Sequence, residues 1–377
     1  MGSKSKILLI ALVFSGYSYS PQEDRLVSIV EVNGSKMAVC SLNNLKSNTA
    51  TIPLSRLVEN CVLVQLETKD DAFFNPWFTT VTEKYIGIRQ SGRPYMLFER
   101  SGKFLCTVGS VGQGPGEYSI SLYDDIIDDK NGLIYLTSFM SDKILVYNTS
   151  GKFLKNIVAP HRLNKPKIFL FENILTVLHM PFNNDKVMVV QFDVNTGNIL
   201  KELAPPVHFL VADYNGEIFN TRNASSIFDF VHTSSDTLYH YDVKNNRIQP
   251  FFTMTYNSSE NPYKQYFLLN NHLILTNIFD KGLVGSDLKN LTSSYIKIVN
   301  DYYGNMSVRA NVVTFRNGYF VHNIQPEQLM DDIENRLAES SCTENDRQIL
   351  KKTLSTLKEG TNNVVFIGKL KNESNIQ

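Results

Sequence analysis

The stretch Phe98-Glu-Arg-Ser-Gly-Lys-Phe-Leu105 returns almost unchanged as Tyr147-Asn-Thr-Ser-Gly-Lys-Phe-Leu154, with Ser101 and Ser150 in register 49 residues apart. Weaker copies run Gln191-Phe-Asp-Val-Asn-Thr-Gly-Asn-Ile-Leu200 and Tyr239-His-Tyr-Asp-Val-Lys-Asn-Asn-Arg-Ile248. Each is a strand, a Gly/Asn turn, then another apolar start. A strand-built period of about 40–50 residues marks propeller blades, because one small sheet cannot bury both its faces alone. The reading is all-β, a six-bladed β-propeller.

Working outward, the chain divides into strand clusters around these copies. Val62–Leu66, Tyr85–Ile88 and Tyr95–Phe98 are short strands separated by turn residues, followed by a second unit from Asp124 to Ile157. Further units span Lys167 to Leu203, Val207 to Met254, Tyr263 to Val299, and Val312 to Leu370. The last is interrupted from Pro326 to Gly360, where Leu329, Ile333 and Leu337 recur at helical spacing. Thr343-Glu-Asn-Asp346 then reads as a capping signal ahead of Ile349, Leu350, Leu354 and Leu357. A helical hairpin covering apolar blade surface is the expectation. Residues 61–66 begin as a strand before the first full repeat, so they are expected to complete the last blade beside Val364–Leu370 and close the ring.

The expected organisation is an export signal at 1–20, a leader at 21–60 with a hairpin about Asn33-Gly34, the propeller at 61–372 with its helical insertion at 326–360, and a tail at 373–377. Lys4 and Lys6 precede the apolar run Ile7–Phe14 and the small-residue tail Ser15–Ser20. That run is too short for a membrane helix, which needs about 20 residues. The chain is expected to be exported to the periplasm or cell surface. Tyr17 stands where a lipoprotein's acylated Cys would be, so a lipid anchor has no acceptor thiol.

Lys+Arg and Asp+Glu both number 37, giving zero formal net charge. This lacks the basic footprint that phosphate neutralisation requires, which argues against nucleic acid. The 23 Phe and 18 Tyr suit half-buried strands. Cys40, Cys61, Cys106 and Cys342 form no C-x-x-C. A Cys40–Cys61 bridge is compatible with an oxidising compartment, but isolated buried thiols are the favoured reading.

Val108-Gly-Ser-Val-Gly-Gln-Gly-Pro-Gly-Glu-Tyr118 contains a segment that resembles the G-x-G-P-G-E-Y loop of six-bladed propellers from Bacteroides-type bacteria, distant relatives of NHL and TolB-like propellers. Ile52-Pro-Leu, Val64–Thr68, Ser226–Phe230 with Asp236–Tyr239, and Asn363–Leu370 are similar to that family's other strands, a resemblance covering residues 50 to 372. It implies a propeller fold and export, and carries over no activity and no catalytic residue.

A dinucleotide fingerprint needs its glycines to open a helix; Pro115 and the β pattern downstream make Gly112, Gly114 and Gly116 a crossover between blades instead. Gln113, Glu117 and Tyr118 are the candidate ligand-binding residues at the ring's mouth. The pairs Asp70-Asp71, Asp124-Asp125 and Asp128-Asp129 are poor acid/base dyads, since neighbours on a strand point to opposite faces. Asp129-x-Asn131-Gly132 is a hairpin turn rather than a calcium loop. His161, His179, His208, His232, His240, His272 and His322 show no metal-ligand spacing, and no G-x-S-x-G elbow is present. No cofactor is called for. The functional expectation is a monomeric, non-catalytic envelope protein binding an unknown ligand, a glycan or a protein partner. The alternative is a metal-assisted hydrolase or lyase with its site on the central axis.

Overall fold

The computed structural model describes residues 26–75, 78–119, 121–182, 184–212, 215–224, 227–256, 262–270, 272–310 and 314–371. The expected export signal at 1–20, residues 21–25, Ser226, Val312 and the expected tail 373–377 lie outside the described residues. Six antiparallel sheets stand as blades in a closed ring. Blade 1 runs Phe78–Val81, Tyr85–Arg89, Tyr95–Glu99 and Phe104–Val108, from inner edge to outer edge. Blade 2 runs Leu122–Asp128, Leu133–Ser138, Ser141–Asn148 and Phe153–Leu163. Blade 3 begins at Lys167–Phe171, blade 4 at Ile218–Phe219, blade 5 at Lys264–Leu269 and blade 6 at Phe315–Arg316.

The repeated stretch is the hairpin between the third and outer strands of a blade. In blade 2, Asn148 Oδ1 accepts hydrogen bonds from the Ser150 and Lys152 amides at 3.1 and 2.9 Å. Asp193, Asp242 and Asp287 hold the corresponding turns of blades 3, 4 and 5 through the amides two and three residues on. A short acceptor side chain that bonds its own backbone sets the turn locally. This is why the motif was readable without a partner. The glycines add a contact between blades. Gly102 has φ +96° and Gly151 +80°; a Cβ on them would lie 2.2 Å from the Gln65 carbonyl and 2.5 Å from the Thr107 carbonyl respectively. Each turn therefore presses on the outer strand of the preceding blade.

Burial follows the ring. Tyr95 and Leu97 of blade 1 pack with Ile134 and Leu136 of blade 2, and Tyr135 and Ile144 of blade 2 with Ile168 and Leu175 of blade 3. The series continues through Phe169 with Phe228, Phe252 with Ile274, and Leu275 with Phe315. Val365 and Ile367 of blade 6 return to Ile86 and Ile88 of blade 1. No sheet hides both faces by itself; each relies on two neighbours.

The ring is closed by the N-terminal segment. Val62–Gln65 is the outer strand of blade 6, paired antiparallel with Val364–Lys369 (Val364 opposite Gln65, Ile367 opposite Val62). Before reaching it, the chain runs along two other outer edges. Ser35–Ser41, in its hairpin with Val27–Val32, adds in parallel to Arg247–Thr255 of blade 4. Thr49–Pro53 adds in parallel to Thr292–Asn300 of blade 5. Edges that would otherwise offer free N–H and C=O groups are thus paired.

Two helices, α1 (Pro326–Ala338) and α2 (Glu344–Leu354), lie between the second and third strands of blade 6. The Thr343–Asp346 capping box is present in both directions. Leu329, Ile333 and Leu350 enter the cluster shared by blades 5 and 6, so the hairpin covers apolar blade surface. All four cysteines are free.

Gly151→Ala should therefore destabilise the fold by more than ~1 kcal/mol. It should cost more than Gly197→Ala, whose φ is also positive but whose Cβ would meet open space. Urea unfolding of the two variants checks this; equal losses contradict the contact between blades.

Candidate functional site

The first strands of the blades converge on the axis, and the axis is filled with charge. Asp124, fully buried on Leu122–Asp128, is its centre. Its Oδ1 is bonded by Arg316 Nη2 from blade 6. Its Oδ2 accepts the Ile168 amide of blade 3 at 2.9 Å and stands 3.5 Å from Arg222 Nη1 of blade 4. The same Nη1 donates to the Asp125 and Ile168 carbonyls, both at 3.0 Å. Asp125 points the other way: its Oδ2 accepts the Tyr95 hydroxyl at 3.0 Å and its Oδ1 is 3.5 Å from Arg89 Nε of blade 1. Arg89 also donates to the Tyr123 carbonyl and lies over the Phe78 ring, 4.3 Å from its centre. Asn223 extends the network by donating to the Leu268 carbonyl of blade 5 and the Phe315 carbonyl of blade 6.

Backbone geometry aims one of these arginines. Arg222 has φ +55°, a left-handed conformation uncommon for a residue with a side chain. Asp229 holds it there: its Oδ1 accepts the Arg222 amide at 2.9 Å and its Oδ2 accepts the Thr221 amide and hydroxyl at 3.2 and 2.5 Å. Such strain persists only where surrounding bonds over-determine it.

Burial alone would push the Asp124 carboxyl up, but the Arg222, Arg316 and Arg89 charges reverse this and hold it well below the usual carboxylate range. Arg222 is pulled down to about 10, by burial first and then by the Arg316 charge, and stays cationic at neutral pH. Lys167, at the start of blade 3, is lowered to about 8 by burial, with Glu217 and Asp124 partly opposing. Its Nζ is 3.7 Å from Glu217 Oε1 and 4.7 Å above the Tyr123 ring. Several donors of the cluster lack a hydrogen-bond partner among the described residues: Arg89 Nη2, Arg222 Nε and Nη2, and Arg316 Nε.

This cluster separates two cavities at opposite ends of the inner strands. One, of about 440 Å³, is lined where those strands end, by Thr82, Glu83, Asp129, Arg222, Asn317 and Lys369 among others. The other, of about 240 Å³, is lined where they begin, by Phe78, Lys167, Phe219, Asn220, Phe267 and Arg316 among others. The arginines and aspartates form a partition between the mouths.

The residues expected from sequence to bind ligand lie elsewhere. Residues 109–121 cross from the outer strand of blade 1 to the inner strand of blade 2. Glu117 accepts the Gly114 amide at 2.7 Å and the Ser110 hydroxyl at 3.2 Å, bonds that hold its carboxyl low. The buried Tyr118 donates to the Val108 carbonyl and accepts the Tyr95 amide. Gln113 is exposed in the same loop and joins neither cavity. The glycines let the loop approach blade 2: Gly116 packs on Phe153, and its carbonyl accepts the Tyr147 hydroxyl at 2.8 Å. Arg89, Lys167, Arg222 and Arg316 carry no local motif. Their one sequence signal is a single cation inside or beside an apolar strand.

Histidines do not gather on the axis. His161 Nε2 meets His179 Nε2 at 3.0 Å near blade 3, while His232 bonds Ser234 in blade 4. Among the described residues, no three of His, Cys, Asp and Glu come together as metal ligands would. No helix there is long and apolar enough to cross a membrane.

A family model described as a domain of unknown function (DUF4934) matches residues 37–282, more than half of the chain. Among solved structures, a candidate exported protein of Bacteroides fragilis aligns with a TM-score of 0.59 at 16% identity, covering 88% of this chain and 100% of that one. A member of the DUF4221 family from Bacteroides vulgatus gives 0.47 at 11%, covering 84% and 98%. Streptogramin B lyase gives 0.40 at 13%, covering 61% and 74%. At these identities the likeness to the first is one of fold. No curated protein matches the chain.

Asp124→Asn would leave two buried arginines, Arg222 and Arg316, without their shared carboxylate. It should cost about 3–5 kcal/mol in chemical denaturation. Combining it with Arg316→Gln should cost less than the sum of the two single losses; additive losses contradict the pairing. Burial also lowers His179 and His232 to about 4. Between pH 6.5 and 4 the unfolded chain takes up protons that the folded one refuses, so stability falls with pH across that window. The loss is about 3 kcal/mol at most for each histidine. Urea midpoints measured through that range check this, and a flat profile contradicts it.

Proposed function

From the premise that the chain belongs to the DUF4934 family, whose description assigns no activity, we propose that it is an exported, non-catalytic binding protein of the cell envelope. Its ligand site is the cavity where the inner strands begin. One observation carries this reading: phenyl rings and polar side chains from several blades converge there beside the charged axial cluster. Apolar walls with a few convergent polar groups are the usual make-up of a small-molecule site. The axial acids support binding rather than acid/base chemistry, because Asp124 is fixed by two arginines and a backbone amide. Glu117, bonded within its own crossover, and Tyr118, bonded to two strands of blade 1, have a structural part in this reading. Export is supported by the Lys4–Ser20 pattern and by analogy with the Bacteroides fragilis protein named above.

Gln265 lines this mouth and is half-buried, so Gln265→Trp should fill it without disturbing the partition. On arrays of envelope glycans and in binding assays with purified envelope proteins, the wild-type chain is expected to retain a ligand that Gln265→Trp loses. Blank assays with both proteins, or equal binding by both, overturn the proposal.

A further inference from the structure

Resting on that reading of the mouth, the geometry points to the class of its ligand. We propose that it takes a small ring-bearing monocarboxylate. The carboxylate sits between Lys167 and Arg316, and the ring lies against Phe78, Phe219 and Phe267.

The first argument is charge. Asp124, Asp125, Asp229 and Glu217 match Arg89, Lys167, Arg222 and Arg316 in number, but the cavity wall itself carries two of the cations, Lys167 and Arg316, and no carboxylate. A carboxylate supplies the missing acceptor there, and a monoanion does so with the least added charge to bury. The second is hydrogen-bonding capacity. Arg316 is more than nine-tenths buried and lines the cavity; Asp124 holds its Nη2, while its Nε has no partner among the described residues. Asn220 Nδ2, on the same wall, also lacks one. Lys167 Nζ stands 3.7 Å from the Glu217 carboxylate, beyond hydrogen-bond length. Three residues with donors to spare, from blades 3, 4 and 6, thus line one cavity whose wall carries no carboxylate.

Size and shape narrow the class. At about 240 Å³ the cavity is smaller than the roughly 300–1,000 Å³ of drug-sized pockets. Phe78, Phe219 and Phe267 offer flat apolar walls to a ring. The opposite mouth does not suit an anion. Arg222 keeps Nε and Nη2 without partners there, but Glu83 and Asp129 line the wall and repel an anion, and Lys369 is paired with Glu83.

Binding should depend on pH through Lys167. The groups facing it are Glu217 of blade 4, Asp124 and Tyr123 of blade 2, Arg89 of blade 1 and Arg316 of blade 6. With burial lowering Lys167 to about 8, the ammonium is present at pH 6.5 and largely lost at 9.5. Affinity for an anion falls across that interval.

Isothermal titration of the purified chain tests this with glucuronate and benzoate, their neutral counterparts glucose and benzamide, and inorganic sulfate and phosphate. At least one carboxylate should bind ten times more tightly than its neutral counterpart at pH 6.5, and lose at least tenfold by pH 9.5. Lys167→Gln should lose at least tenfold as well. Asn220→Ala, which leaves the partition intact, should lose severalfold. Carboxylates binding no better than their neutral counterparts, sulfate or phosphate binding more tightly than both, or undiminished binding by Lys167→Gln overturns the inference. Should the carboxylates fail while the envelope ligand is still lost in Gln265→Trp, the anion alone is refuted; should both fail, the mouth is not a binding site.

Discussion

A ring of sheets has a weak place by construction: its inner edges meet where there is least room for apolar packing. In this chain that place is held by one carboxylate. Asp124 takes Arg316 on one oxygen and Arg222 with the Ile168 amide on the other, so blades 2, 3, 4 and 6 are joined at a single side chain. Asp125 and Arg89 add blade 1, and Asn223 reaches blade 5. The six apolar clusters between blades supply the bulk of the driving force but are non-directional. The charged cluster fixes how the inner strands sit relative to one another, because an unpaired charge there is strongly unfavourable.

The same constraint shapes what the molecule offers to others. Cations from four blades are packed among an equal number of carboxylates, and the partition keeps the two mouths apart. The wider mouth balances its arginine with Glu83 and Asp129 on the wall. The narrower has Lys167 and Arg316 beneath phenyl rings, with no carboxylate among its lining residues. A structural element and the proposed ligand site therefore share side chains. This follows from a fold whose only shared space is its axis.

The fold was legible because its punctuation is local. Asn148, Asp193 and Asp242 bond amides two to four residues away, so each blade writes its own turn into the sequence regardless of the rest of the chain. The Gly112–Tyr118 crossover and the Thr343 capping box are local in the same sense. The helical insertion showed through a change of period. What remained hidden is long-range. The strand Thr49–Pro53 pairs with residues some 240 positions away, and nothing in its own pattern names that partner. The axial site is hidden for the same reason: residues 89, 124, 167, 222 and 316 are single charges spread over five blades. Asp124 and Asp125 are legible as a pair but make no dyad, because neighbours on a strand diverge. The divergence is what allows each to meet its own arginine.

Native-state hydrogen exchange tests the central claim most directly. The Ile168 amide donates to Asp124 and the Arg222 amide to Asp229, both at the axis. If the charged cluster holds the ring together, these two amides exchange only when the whole protein unfolds, with a free energy equal to that from chemical denaturation. Exchange through a local opening, faster than that of buried strand amides such as Ile144 and Leu275, would show that the blades are held at their flanks and that the axis is a passive filling.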